Sequence, residues 1–248
     1  MNRYIITDIH GMFLEFIELL KKANFNYDED ELIVGGDIVD RGPEPMLCIL
    51  ELLKIKNVIS VQGNHDIWFY NFIVQGSKNH FLEGKHGSKP TIEKWLRLSD
   101  DDKKLVFSFL KAQRPYYVDQ KNNLFVHAGF DKEYKIEEQL LWDLVCDMHF
   151  IKSIMSSQKN KIKKIATIEN FNEIFVGHTA TIRYIKDKNG IYKEGKGWDN
   201  IVLEPIHIHN VWMMDTGSGF KIGRLSLMNI DTKELFQVDA KNDENEID

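Results

Sequence analysis

Six short apolar runs constrain the fold of this chain more than any other feature. They are Tyr4-Ile5-Ile6, Leu32-Ile33-Val34, Val58-Ile59-Ser60-Val61, Leu124-Phe125-Val126, Ile174-Phe175-Val176 and Val211-Trp212-Met213-Met214, and each runs straight into a loop containing glycine, aspartate or histidine. Runs this short and this apolar read as buried strands. Between the first of them lie helical patterns: Phe13, Phe16, Ile17 and Leu20 at three- and four-residue spacing, then Met46, Leu47, Leu50 and Leu53 after Pro43. Strand and helix alternate, which predicts an α/β fold.

Further along, Ser99 followed by Asp102 matches a capping box. It opens a predicted helix with Leu105, Val106, Phe109 and Leu110 on its inner side. The lysine-rich stretch from Lys152 to Lys164 reads as an amphipathic helix with a solvated face, and its position before the His178 strand leaves a substrate-facing role open. Lys186 to Asn200, with Gly190, Gly195 and Gly197, reads as a hairpin tip or mobile loop. Alternation in Leu225, Leu227 and Asn229, then Leu235, Phe236 and Val238, predicts a closing β-hairpin around Asp231-Thr232. We expect one domain over 1–238, and a polar, acidic, flexible tail over 239–248.

Composition narrows the function classes. A chain of 248 residues, 43% hydrophobic, is long enough for one large core. Its formal charge of −6 argues against nucleic acid as a partner, because phosphate backbones are bound by basic surfaces. The two cysteines, Cys48 and Cys146, sit in apolar stretches and read as reduced core residues of a cytoplasmic protein. The first residues turn polar too soon for a signal peptide, and no apolar run reaches the roughly 18 residues a membrane span needs.

The chemistry gathers at the strand ends. Asp8-Ile9-His10-Gly11 sets a carboxylate and an imidazole two residues apart, on one side of an extended chain, where both can reach one cation. Gly35-Gly36-Asp37-Ile38-Val39-Asp40-Arg41-Gly42 adds two carboxylates and a guanidinium in a glycine-rich turn, so groups for cations and for phosphate come from one loop. Gly63-Asn64-His65-Asp66, His127-Ala128-Gly129 and Gly177-His178-Thr179 complete the set. A lone histidine is more often a satisfied structural residue than a ligand. Four of the nine histidines at strand ends, joined by Asp8, Asp37 and Asn64, reverse that expectation, since burying so many ionisable groups without a cation is costly. Asp66 reads as a helix N-terminal cap, and Asp215 as a structural acid beneath the loops.

In order and spacing these motifs resemble the calcineurin-like metallophosphoesterase superfamily, and within it the phosphoprotein phosphatase branch with its bacterial and phage members. The resemblance runs from Tyr4 to about Val238 and takes in D-x-H-G, G-D-x-x-D-R-G, G-N-H-D, H-A-G, G-H-T and D-T-G. It implies a β-sandwich flanked by helices in four αββα layers, with a dinuclear metal site at the strand ends. Asp8, His10 and Asp37 would hold one ion, and Asp37, Asn64, His127 and His178 the other, with Asp37 bridging. The donors suit Mn²⁺ first, with Fe or Zn²⁺ as alternatives, about 3.5–4 Å apart and sharing an activated water. In the mechanism so implied, that hydroxide attacks phosphorus. Arg41 binds phosphoryl oxygens, and His65, oriented by Asp40, protonates the leaving group.

Two departures bear on the substrate. Gly177-His178-Thr179-Ala180 lacks the second histidine that nuclease and phosphodiesterase branches usually carry, which favours a phosphomonoesterase or a dinucleoside polyphosphatase. Where related sequences often place a second phosphate-clamp arginine, this chain has Leu144; Arg114, Arg183 and Lys152 are the candidate substitutes. The favoured substrate is a phosphoprotein carrying phosphoserine, phosphothreonine or phosphotyrosine, or else a small phosphate ester. The alternatives are a symmetrical diadenosine tetraphosphate hydrolase and, in another class, a non-catalytic scaffold, against which the complete set of motif residues speaks.

Overall fold

The structure, a computed structural model, describes residues 1–76, 85–158, 170–197 and 199–241. Two five-stranded sheets form its centre. The first comprises β1 (Arg3–Ile6), β2 (Glu31–Val34), β3 (Asn57–Ser60), β11 (Arg224–Asn229) and β12 (Leu235–Asp239), in the order β12-β11-β1-β2-β3. In the second, β4 (Tyr116–Val118), β5 (Leu124–Val126), β6 (Ile174–Val176), β9 (Ile206–Ile208) and β10 (Val211–Met213) lie in the order β4-β5-β6-β10-β9. β1, β2 and β3 run parallel to one another, as do β5, β6 and β10. A small hairpin of β7 (Tyr184–Lys186) and β8 (Tyr192–Glu194) stands apart from both sheets.

The period-two alternation of strand side chains divides the core into three layers. Ile5, Ile33, Phe125 and Phe175 point inward and fill the space between the sheets, where the Phe125 and Phe175 rings stack with centroids 5.0 Å apart. Their neighbours Tyr4, Ile6, Leu32 and Val34 face outward onto α1 (Phe13–Lys22), α2 (Pro45–Leu52), α3 (Asn64–Gln75) and α5 (Asp100–Ala112). On the other side Leu124, Val126, Ile174 and Val176 pack against α6 (Leu141–Cys146) and α7 (His149–Ser157). The four-layer sandwich is therefore a consequence of strands apolar on both faces, which must be covered twice.

Both predicted helix starts are present in altered detail. Ser99 Oγ accepts the Asp102 backbone N–H at 3.1 Å and three aspartates occupy the first turn of α5, which favours a helix N-terminus. Pro45, not Pro43, lies in the first turn of α2, and its buried side is Met46, Cys48, Ile49 and Leu52. Leu105, expected on an inner face, is exposed, as are Leu47 and Leu53 of the apolar pattern after Pro43. In a mean-apolar helix such as α2 the sequence does not say which stripe faces the core; contact with the neighbouring helices does.

The sequence did not announce β4, β9, α4 (Lys89–Arg97) or α6, whereas the hairpin tip expected within 186–200 is the turn between β7 and β8, at Gly190. The beginning of the lysine-rich stretch forms the end of α7, while 159–164 lie outside the described residues. So do 242–248 of the expected tail. Among the described residues, no helix is long and apolar enough to cross a membrane.

Candidate functional site

The parallel strands of both sheets end at one edge of the sandwich, and the chemistry-bearing residues follow them there. Asp8 and His10 come after β1, Asp37 after β2, and Asn64 opens α3 beyond β3; His127, His178 and Asp215 follow β5, β6 and β10. The loops after β1 and β2 are laced together by Asp8 N–H to Gly36 O (2.9 Å), His10 N–H to Asp37 O (3.0 Å) and Gly42 N–H to His10 O (2.9 Å). Six functional positions stand in the left-handed region: Asp8 (φ 52°), His10 (47°), Asp37 (55°), Asp40 (72°), Arg41 (66°) and His178 (63°). That conformation costs an L-residue about 1–2 kcal/mol, so it persists only where the surroundings over-determine it. Gly36, at φ 91°, makes the close approach possible: a Cβ there would lie 2.7 Å from His127 Nδ1 and from Gly63.

Asp37 is the geometric centre. One of its oxygens, Oδ2, lies 3.2 Å from His127 Nε2, 3.8 Å from His10 Nε2 and 3.9 Å from His65 Nε2. The other, Oδ1, accepts the His65 backbone N–H at 3.0 Å. Asn64 Oδ1 sits 3.1 Å from His127 Nε2 and 3.0 Å from His178 Nδ1. Among the described residues, two groups of donor atoms lie within 4.8 Å of one another: His10, Asp37 and His65, and Asp37, His127 and His178. They share Asp37. Asp8 belongs to neither group; its carboxylate is buried nearby and accepts the His178 backbone N–H at 3.1 and 3.2 Å.

The electrostatics of this knot call for positive charge. Burial pushes the Asp37 carboxyl up, but His127, His65 and His10 outweigh it and hold the group well below the usual carboxylate range. Burial, and then Asp215, push Asp8 the other way, well above that range. Burial lowers His127, yet Asp37 and Asp8 pull it up to about 10. Burial and then His127 push His178 down to about 3, and burial, Arg41 and His65 hold His10 well below its ordinary value. His10 and His178 therefore present neutral imidazoles, the form that ligates metals. His10 Nδ1 and His127 Nδ1 bond the carbonyls of Val39 (2.9 Å) and Gly35 (2.8 Å), which turns each Nε2 toward Asp37; at His127 a bound cation would take the place of the Nε2 proton. Imidazole nitrogens, an amide oxygen and a shared carboxylate fit a pair of divalent first-row ions.

Beside the shared carboxylate stand the groups able to handle a phosphate. His65 Nδ1 bonds Asp40 Oδ2 at 2.7 Å, which orients Nε2 toward Arg41 Nη2, 3.4 Å away. The Arg41 guanidinium lies over the Phe220 ring, 5.1 Å from its centroid, and the Trp68 ring lies 4.7 Å from that of His65. Asp66 does cap α3, accepting the Gly63 N–H at 3.4 Å. It also accepts Ile38 N–H at 2.9 Å, thereby pinning the Asp37 loop. Asp215 accepts the Gly217 N–H at 2.8 Å in the loop beside Asp8.

Leu144 is buried in the outer core of the second sheet. Arg114 stacks its guanidinium on Tyr117, 5.5 Å from the ring centroid, and Arg183 and Lys152 are exposed. Cys146 is half-buried on the site side, where Asp37 adds to the effect of burial in pushing its thiol up to about 12. Sequence reasoning missed Phe220 and Trp68, and also Thr91, whose hydroxyl bonds Asp40 from the unanticipated α4. A threonine or an aromatic in such a helix or loop carries no spacing signal of its own.

Comparison with known proteins agrees with this geometry. The family model described as calcineurin-like phosphoesterase matches residues 1–203. A symmetrical bis(5'-nucleosyl)-tetraphosphatase from Buchnera aphidicola subsp. Acyrthosiphon pisum is 34% identical over 143 residues, 55% of this chain and 47% of that protein. The match thus spans about half the length of that curated relative. Among solved structures, a protein described as a candidate diadenosine tetraphosphatase superposes with a TM-score of 0.66 at 17% identity, covering 97% of this chain and 94% of the other. A protein serine/threonine phosphatase from Saccharomyces cerevisiae does so with 0.55 at 14% identity, covering 99% and 81%. At such identities the two structures speak for the fold.

Proposed function

Because this chain belongs to the calcineurin-like phosphoesterase family, a family of dinuclear metal-dependent phosphoester hydrolases, we propose that it cleaves phosphate monoesters and acts as a protein serine/threonine or tyrosine phosphatase. The observation that carries this reading is the union of Arg41, His65 and Asp40 with the donor atoms around Asp37. Residues 1–238 are taken as one catalytic domain. Asp8, His10 and Asp37 would hold one ion, and Asp37, Asn64, His127 and His178 the other, with Mn²⁺ the expected metal. When bound, such ions neutralise phosphoryl charge and supply an activated water.

The chain's own groups then divide the remaining work. The Arg41 guanidinium takes non-bridging oxygens of the phosphoryl group, and Phe220 beneath it limits its swing. His65 donates its Nδ1–H to Asp40 and offers its Nε2 proton to the departing oxygen, whose basicity would otherwise hold it on phosphorus. The burial of Asp37, Asp40 and His65 keeps these charges out of bulk water, where they would be screened.

A phosphoprotein is favoured by the surface next to this site. A groove of about 670 Å³ opens beside the loop that follows His127, and its walls carry Asp131, Glu133, Asp143 and Asp147 against Lys132 and His149. A polyphosphate chain would lie against those carboxylates, whereas a peptide flank with basic residues would be attracted to them. The second reading, a symmetrical dinucleoside tetraphosphate hydrolase, is favoured by the name of the Buchnera relative. Purified protein with Mn²⁺ should release phosphate from phosphopeptides. Turnover of diadenosine tetraphosphate to two ADP with no release from phosphopeptides would replace the first reading by the second.

A further inference from the structure

Thr91 is the one buried side chain of the nine-residue helix α4, and it has no exposed surface at all. Its hydroxyl makes two hydrogen bonds to a single residue: Oγ1 donates to Asp40 Oδ1 at 2.6 Å and accepts the Asp40 backbone N–H at 2.9 Å. The second carboxylate oxygen, Oδ2, is thereby left for His65 Nδ1 at 2.7 Å. We infer that Thr91 is a positioning residue for leaving-group protonation, acting through Asp40 on His65. This rests on the reading of His65 as the acid.

A hydroxyl is one of the few groups that can both donate and accept at one atom, which is what clamping a carboxylate and its own backbone N–H requires. Asp40 needs such a clamp. It is fully buried, at φ 72°, and is followed by Arg41 at φ 66°, so two successive residues hold a conformation that L-residues rarely adopt. The same segment braces Arg41, whose backbone N–H donates to Gly87 O at 2.7 Å; a Cβ on Gly87, itself at φ 73°, would come within 2.8 Å of the Arg41 side chain. One turn of chain at the start of α4 thus fixes both the acid's partner and the phosphate arm.

The bond from phosphorus to the ester oxygen breaks, and its electron pair leaves with that oxygen. The oxygen takes the Nε2 proton of the His65 imidazolium. Water supplies the hydroxyl that joins phosphorus and releases its other proton to solvent, from which His65 Nε2 is reprotonated. Throughout, the Nδ1–H of His65 donates to Asp40 Oδ2, and Thr91 keeps the other oxygen from rotating into its place.

The test compares an alkyl ester, a phosphoserine peptide, with para-nitrophenyl phosphate, whose leaving group needs little protonation. With saturating Mn²⁺, Thr91→Val should lower kcat for the phosphoserine peptide by about tenfold to a hundredfold, a part of what an acid contributes. KM should stay unchanged, and para-nitrophenyl phosphate should lose less than about threefold. Thr91→Ser should restore the alkyl rate, and Asp40→Asn combined with Thr91→Val should lose no more than Asp40→Asn alone. Should valine prevent folding, Thr91→Ala is read in the same way. Equal losses on both esters, no loss, or losses that add to those of Asp40→Asn would overturn the role of Thr91. A wild-type protein that releases phosphate from neither ester would overturn the phosphatase reading instead.

Discussion

The loop after β2 and the segment after β5 both reach the same edge of the sandwich, yet they are built in opposite ways. In the first, Asp37, Asp40 and Arg41 hold left-handed backbone conformations, and each is tied down from another element: Asp66 on the loop's backbone, Thr91 on Asp40, Gly87 on Arg41. In the second, once His127 and Ala128 are passed, Leu140 and Trp142 are 71% and 65% exposed and carboxylates line an open groove. The first region is over-determined, as reacting groups must be to hold angstrom-level geometry. The second is open to solvent and carries charged side chains, so nothing there demands fixed geometry.

Removing what the first loop serves should have the largest effect. Stripping divalent ions with a chelator should abolish turnover and lower Tm, because an ion bound to the native state alone at a hundred times its Kd contributes about 2.7 kcal/mol. For a chain of this size that is a shift on the order of 5–10 °C, read by calorimetry with and without Mn²⁺. Asp37→Asn should do nearly the same to kcat, by on the order of 10³-fold or more, since it removes the charge that both donor groups share. Retained activity in Asp37→Asn would break the comparison at its firmer side.

The positions of the site residues at the strand ends were legible in the sequence. Asp8, Asp37, His127 and His178 announce themselves because a buried strand of three or four residues leaves the next polar residue little choice but the sheet edge. The four αββα layers were legible only through the family resemblance, since the short apolar runs by themselves predict no more than alternating strand and helix. What stayed hidden was set by tertiary contact. Nothing in the sequence distinguishes Thr91 from any surface threonine, and Leu47 and Leu53 look as apolar as Ile49, though only Ile49 is buried. The left-handed φ of Asp8 or His178 is equally invisible, since no glycine marks those positions. The missing second arginine was visible as Leu144, but not that the side chain would face the core instead of the substrate.

Two intermediate effects sharpen the division of labour within the site. His65→Asn should cost about 10²-fold in kcat for an alkyl phosphate and only a few-fold for para-nitrophenyl phosphate; equal losses would remove the acid role. Arg41→Lys keeps the charge but loses the planar fork and the stacking on Phe220. It should raise KM by about tenfold, with a smaller change in kcat, in steady-state kinetics over a range of phosphopeptide concentrations.

The smallest effect belongs to the open region and is the one that decides what the groove is for. Neutralising Asp143 and Asp147 together, as Asp143→Asn and Asp147→Asn, removes two of its four carboxylates without touching Asp37 or its ligating neighbours. If the groove takes the flank of a peptide, KM for a phosphopeptide with neighbouring arginines should rise about two- to fivefold, because exposed charge pairs contribute only a few tenths to one kcal/mol each. KM for para-nitrophenyl phosphate, which has no flank, should not move. Raising the salt from 0.05 to 0.5 M should erase the difference between wild type and variant, since the Debye length then falls to the length of a contact. A difference that survives salt would mean the substitutions changed packing around Phe150. No difference at any salt would leave the acidic groove without a part in substrate choice, while leaving the loop after β2 untouched.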